Sequence, residues 1–294
     1  MPIDIQPLTP HFGARLSGFR IRDGVDDATF AEIERAADRF GVLVMPDQPL
    51  DDAAQIAFSE RFGPLEATLA GAVGAGSKIV RVSNLLPDGG VKDPNGPLAL
   101  FARANLLWHT DSSFKETPAK FSMLSARELP RLGGADTEFA STAAAYDALD
   151  DAMRARVEGL IAVHSIAWSR QKISDGATTD EQRKSMPPVR QALVRRNPAT
   201  GRKSLHLASH VMAIEGMADA EAQALHDELM AIATRPDRVY RHRWRQDDLV
   251  LWDNRATVHR ATPYDEIGDR RLMIRTTISD FGPTVVDGAI VAAA

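Results

Sequence analysis

The chain has no cysteine among its 294 residues. Disulfides, thiolate metal sites, iron–sulfur clusters and cysteine nucleophiles are therefore excluded. It also lacks any apolar run approaching the ~18 residues of a membrane span. Met1-Pro2-Ile3-Asp4 shows neither the charged nor the apolar region of a signal peptide. There is no basic tract: 35 Lys and Arg stand against 40 Asp and Glu, a net charge of −5. That disfavours nucleic acid or an acidic membrane as the main partner. Low-complexity linkers and internal repeats are missing too, so a single domain over 1–294 is expected, soluble and cytoplasmic. What is present is ordinary globular material, 44% hydrophobic and 26% charged, long enough to bury roughly three-quarters of its unfolded surface.

Periodicity predicts the elements. Phe30, Ile33, Ala37 and Phe40 recur at helical spacing, and Gly41 then releases the chain into an apolar strand, Val42–Met45. A second helix starts near Asp51-Asp52 and stops at Gly63-Pro64. Residues 65–103 form a Gly/Pro-rich stretch with one short strand, Lys78–Val82, and long loops of this kind are often lids. Strands are then predicted at Lys120–Glu128, Ala135–Ala140 and Leu160–Trp168. Ser141 is read as the cap of a helix carrying Tyr146, Leu149, Met153 and Val157. A hairpin turns at Asn197–Gly201, and a helix carries Leu225, Leu229 and Ile232. Four strands follow: Val239–Trp244, Leu249–Trp252, Thr257–Ala261 and Leu272–Ser279. Many short strands with few long helices indicate a mostly β barrel or sandwich with helices packed outside.

Without cysteine, the eight histidines are the best soft ligands. His109 and Asp111 lie two apart in an extended stretch, so both side chains can face one metal. His226-Asp227-Glu228 is a decoy, since i and i+2 diverge on a helix; it reads as solvated surface. His259, on a strand returning from the Asp253-Asn254 turn, is the candidate third ligand. Two histidines and one carboxylate form the facial triad of non-haem Fe(II) oxygenases. Downstream, Arg271 and Arg275 share one face of an apolar strand. Buried guanidiniums need anionic partners, and bidentate carboxylate recognition suits them. A metal triad and an arginine pair imply an iron site fed by small carboxylates.

The segments Leu107–Phe114, Lys120–Ala126, Gly133–Phe139, Met186–Val189, Val239–Trp244, Leu249–Arg255 and Arg270–Arg275 run in order across nearly the whole chain. In them the chain resembles the Fe(II)/2-oxoglutarate-dependent dioxygenases of the taurine dioxygenase type, most of all the members that act on 2,4-dichlorophenoxyacetate. The resemblance implies a double-stranded β-helix, a cupin-like jelly roll, with the metal at its open end. His109, Asp111 and His259 would ligate Fe(II). Thr137 and Arg271 would hold the distal carboxylate of 2-oxoglutarate, with Trp252 lining the site. Arg275 would pair with the substrate's acid group or help to hold the cosubstrate. Asn105 and His210 match substrate-contact positions. One departure is Ala135, inserted in a Gly-Gly-Asp-Thr pattern.

The activity so implied consumes 2-oxoglutarate and O2, with ascorbate as reductant in the assay, and gives succinate and CO2. The substrate is an aryloxyalkanoate hydroxylated next to its ether oxygen, which then falls apart to a phenol and glyoxylate. The alternatives are the same chemistry on a taurine-like sulfonate or sulfate ester, and a non-catalytic jelly-roll binding protein. Residues 65–105 would form the substrate-side lid and 284–294 a C-terminal tail. The expected partners are a small anionic substrate and copies of the chain in a homo-oligomer, with no nucleic acid and no membrane.

Overall fold

The structure is a computed structural model that describes residues 3–68, 76–86, 88–174 and 177–291. In chain order, strands β1 (Asp4–Pro7) and β2 (Ala14–Ser17) lead into helix α1 (Asp27–Phe40) and strand β3 (Val42–Met45). Asp26 accepts a hydrogen bond from the Thr29 amide at the start of α1, and Gly41 closes it at φ 72°, a left-handed conformation that suits glycine. Helix α2 (Asp52–Glu60), capped by Asp51, precedes β4 (Val80–Ser83) and helix α3 (Pro97–Arg103). Strands β5 (Ala119–Glu128) and β6 (Thr137–Ser141) follow, then α4 (Thr142–Asp147), α5 (Asp151–Val157), β7 (Ile161–His164), α6 (Ile166–Gln171) and α7 (Asp180–Ser185). Next come β8 (Val189–Ala192), β9 (Val194–Arg196), β10 (Lys203–Leu205), β11 (Val211–Ile214) and α8 (Asp219–Ala233). The chain closes with β12 (Val239–His242), β13 (Leu249–Asp253), β14 (Thr257–Ala261), β15 (Leu272–Ser279), β16 (Val285–Val286) and β17 (Ala289–Ile290).

Seven strands make the major sheet, in the order β1-β2-β3-β13-β5-β15-β4, antiparallel throughout except for β2 beside β3. Opposite it lie two three-stranded sheets, β12-β6-β14 and β11-β7-β8. One face of the major sheet packs Leu43, Met45, Phe121, Met123, Leu251 and Ile278 against the apolar sides of α1 and α2. The other face meets the minor sheet through Val42, Val44, Leu124, Val250, Trp252, Met273 and Phe139. A third core lies behind the minor sheet, where Ala140 and Val258 pack with Tyr146 of α4 and Leu225 and Leu229 of α8. This in/out alternation along β3, β5 and β13 is the sandwich with outer helices that the sequence predicts.

Several boundaries differ from expectation. The predicted strand Leu160–Trp168 ends at His164, because Ser165 caps α6 by accepting from the Trp168 amide. The helix predicted behind Ser141 is two helices, since Asp150 accepts from the Met153 amide and starts a second one. Helix α3 lies inside the stretch read as loop; Pro97 opens it at a position where a missing N–H costs nothing. His226 is not solvated. It follows Ala222 by one helical turn on the inward face of α8, is 5% exposed, and its Nε2 lies 3.0 Å from the Ala208 carbonyl. The expected tail is partly built in: buried Thr284 donates to Gln191 and accepts from the Ala192 amide, anchoring the β16/β17 hairpin. Residues 69–75 and 87 of the expected lid, and the last three of the tail, lie outside the described residues. No helix among the described residues is long and apolar enough to cross a membrane.

Candidate active site

The site sits between the two sheets, at the end where β5, β13 and β15 meet β14. His109, outside the named strands, forms an antiparallel bridge with His259 of β14, their amides and carbonyls exchanging hydrogen bonds of 3.0 and 2.8 Å. Asp111 follows two residues on, and one ligand atom from each of His109, Asp111 and His259 lies within 4.8 Å of the others. His109 Nδ1 lies 2.8 Å from the Leu107 carbonyl. That contact fixes the proton on Nδ1 and leaves Nε2 as the ligand atom. His259 Nε2 is 3.8 Å from Asp111 Oδ2.

Burial favours uncharged imidazoles here, lowering His109 and holding His259 well below the usual histidine range. Burial also pushes Asp111 up, but the Arg275 guanidinium, helped by the Ser122 hydrogen bond, outweighs it and holds the carboxylate at about 2. The three groups are therefore two neutral imidazoles and one carboxylate at neutral pH, all buried, as a divalent metal requires of its ligands.

A polar hub behind the ligands was missed in the sequence. Asn254 Oδ1 accepts from the Asp111 amide and from Trp252 Nε1, while its Nδ2 donates to Ser122 Oγ. Ser122 in turn donates to Asp111 Oδ2 at 2.7 Å, and Thr110 Oγ1 donates to the Asn254 carbonyl. Trp252 packs behind His259, ring centroids 4.7 Å apart, within the core between the sheets. It backs the ligand rather than lining the cavity as expected.

In front of the triad opens a cavity of about 430 Å³. Arg275 and Thr277 project into it from β15, and Arg275 Nη1 pairs with Asp111 Oδ1 at 2.5 Å. Asn105 and His210 both line it. His210 stacks edge-on with Phe114 at 5.0 Å, and its Nδ1 is 3.1 Å from Ser113 Oγ, which also contacts His164 Nδ1. Burial and the Arg170 charge keep His210 neutral. The stretch expected to form the lid supplies much of one wall, including Glu66, Val80, Val82, Lys92 and Phe101.

Arg271 lies apart from that cavity, in a side chamber of about 80 Å³ shared with Asn105, Lys92, Ala135, Ala261 and Tyr264. It is buried with no carboxylate partner among the described residues, and its Nε makes no hydrogen bond. Thr137 does not line that chamber; it is paired with Ala261, which does, and its Oγ1 accepts from Trp244 Nε1. The inserted Ala135 sits at φ 54° after two glycines that also have positive φ. The extra residue is taken up in that left-handed turn, so Thr137 keeps its register against Ala261 and His242.

Residues 4–277 match the family described as taurine catabolism dioxygenase TauD, TfdA family. The chain is 40% identical to the alpha-ketoglutarate-dependent 2,4-dichlorophenoxyacetate dioxygenase of Cupriavidus pinatubonensis, over 95% of this chain and 99% of that one. It is 39% identical to the (S)-phenoxypropionate/alpha-ketoglutarate-dioxygenase of Sphingobium herbicidovorans, over 94% of each. The crystal structure of AAD-2 with Mn(II) and N-oxalylglycine superposes with a TM-score of 0.90 at 41% identity, covering 98% of this chain and all of that one. The chain belongs to the TauD/TfdA family and is a metal-binding, 2-oxoglutarate-dependent dioxygenase of cupin-like jelly-roll fold.

Proposed function

We propose that the chain hydroxylates an aryloxyalkanoate next to its ether oxygen, releasing a phenol and the 2-oxo acid of the side chain (glyoxylate from an aryloxyacetate) with succinate and CO2. The observation that carries this is the convergence of His109, Asp111 and His259 at one end of a cavity rich in basic and aromatic side chains. The likeness to enzymes named for phenoxyacetate and phenoxypropionate supports the substrate class. A sulfonate or sulfate ester has less in its favour.

The triad fits a metal: two neutral imidazoles and a carboxylate, held from behind by Leu107, Asn254 and Ser122. His109, Asp111 and His259 would hold Fe(II). When bound, the metal with O2 and 2-oxoglutarate supplies the oxidising power for C–H hydroxylation, with ascorbate keeping it reduced in the assay.

The protein's own residues do the positioning. Arg271, buried with an unpartnered Nε, takes the distal carboxylate of 2-oxoglutarate, with Thr137 reaching it from the strand paired with Ala261. Arg275 neutralises Asp111 and adds positive charge where the acid ends dock. Trp252 backs His259. His210 and Phe114 offer ring edges to an aryl group, and Asn105 links the cavity to the side chamber. The described residues of the 65–105 stretch act as the lid over the substrate. Excluding water and holding the reacting carbon in place is the share of catalysis that such a cavity provides.

The test is succinate and phenol release by the protein with Fe(II), 2-oxoglutarate, ascorbate and air. The substrates compared are 2,4-dichlorophenoxyacetate, a 2-aryloxypropionate, taurine and none. Succinate and phenol in equal amounts with an aryloxy acid is the expected result. Stimulation by taurine alone would overturn the substrate class, and no succinate with any of them would overturn the activity.

A further inference from the structure

Six cationic side chains other than histidine line the cavity in front of the triad, and five of them have partners. Lys78 pairs with Glu60, Arg81 with Asp52, Lys115 with Glu66 and Arg275 with Asp111, while Lys92 donates to the Ser83 carbonyl. Arg170 is the sixth. It projects from α6, is 7% exposed, and has no carboxylate or carbonyl partner among the described residues. Its Nη1 donates one 3.3 Å hydrogen bond to Ser169 Oγ, and its Nε is buried without any. Phe101 covers one face of the guanidinium, 4.3 Å from Cζ.

A buried, unpaired guanidinium is expensive unless an anion completes it. The Asp111 charge acts on Arg170 but is already neutralised by Arg275, and the Arg275 charge opposes it. Arg271, in the side chamber, is taken by the cosubstrate. A second carboxylic acid has to enter the site, and of the two cavity cations without a carboxylate, Lys92 and Arg170, only Arg170 has a buried N–H with no hydrogen bond.

We propose that Arg170 is the anchor for the substrate's carboxylate, its free N–H donors gripping the acid while Phe101, Phe114 and His210 flank the aryl ring. This rests on the reading of the substrate as an aryloxy acid. A guanidinium stacked on an aromatic ring is planar and oriented, so it selects a planar carboxylate at one position. It thereby sets the distance from acid to hydroxylated carbon. The assignment adds to Arg275, whose charge lies beside the same acid.

Arg170→Met preserves packing against Phe101 and removes the charge; Arg170→Lys keeps the charge and loses the fork. The readout is calorimetric affinity of the Mn(II)- and N-oxalylglycine-loaded protein for 2,4-dichlorophenoxyacetate and for its neutral amide, with N-oxalylglycine affinity measured separately. Expected for Arg170→Met is a loss of at least about 30-fold for the acid. The amide and N-oxalylglycine should each change less than about threefold, and Arg170→Lys should recover part of the loss. Unchanged affinity for the acid overturns the proposal. An equal fall for acid and amide, or a fall for N-oxalylglycine as well, makes Arg170 merely structural and also overturns it. If the wild type binds decyl sulfate and no aryloxy acid, the substrate reading fails. In that case loss of decyl sulfate binding in Arg170→Met still supports Arg170 as the anion anchor, and its retention overturns that too. A wild type that binds neither anion overturns both.

Discussion

Asn254 carries more of the site than its place in a turn suggests. Its side-chain oxygen accepts from the Asp111 amide and Trp252 Nε1, and its amide group donates to the serine that holds Asp111 Oδ2. Asn254→Ala would free Asp111 to rotate while leaving all three ligands in place. Metal affinity should fall about 10- to 100-fold, the range for groups that orient a ligand, and kcat/KM should fall with it. Titrating Mn(II) into the variant, followed by calorimetry, checks this; unaltered affinity would mean that the backbone alone fixes Asp111. His109, Asp111 and His259 were legible in the sequence because strand periodicity and ligand chemistry both act on side chains a few residues apart. Asn254, Ser122 and Arg170 were not. Their roles come from contacts across 132 residues from Asn254 to Ser122, or from the lack of a partner, and no local pattern records either.

At the scale of elements, helix ends decide what reaches the site. Gly41 stops α1 and starts β3, whose partner β13 leads into Asn254. A Cβ there would meet Thr257 Cγ2 at 3.3 Å, and the φ of 72° would strain any L side chain. Gly41→Ala should destabilise the protein by about 1–2 kcal/mol, read as a lower urea midpoint with unchanged m-value. A midpoint within error of the wild type would show that the turn can relax. Gly41 and five of the seven strands of the major sheet could be read from the sequence, since a break in hydrophobic period is a local signal, whereas β1 and β2 were not read. The end of the predicted strand at His164 could not. Ser165 and Asp150 act as caps only when the following residues are free to turn, and a β-like run such as Leu160–Trp168 hides that choice. Helix α6 matters most among the missed elements because it delivers Arg170.

Taken whole, the molecule buries its histidines to an unusual degree. Six of the eight are shifted downward, with burial the largest cause each time: His109, His164, His206, His210, His226 and His259. His164 falls to about 3, burial acting first and the nearby His226 second. Its Nε2 and His206 Nδ1 have no hydrogen-bond partner, so neither site is built to hold a proton. The folded chain keeps these rings neutral, whereas unfolded histidines take up protons below about pH 6.5. Their contribution to stability is therefore full above that pH and lost as pH falls, continuing for His164 toward pH 3. Each such ring adds a slope of up to about 1.4 kcal/mol per pH unit. The urea midpoint of chelator-treated protein should be level from pH 8 to 7 and drop steeply between pH 6.5 and 5. His164→Gln, which can still meet Ser113, should remove about one proton's worth of that slope. A midpoint that stayed level down to pH 5 would mean that the buried rings are protonated in the folded state, and would undo the reading of His109 and His259 as neutral ligands along with it.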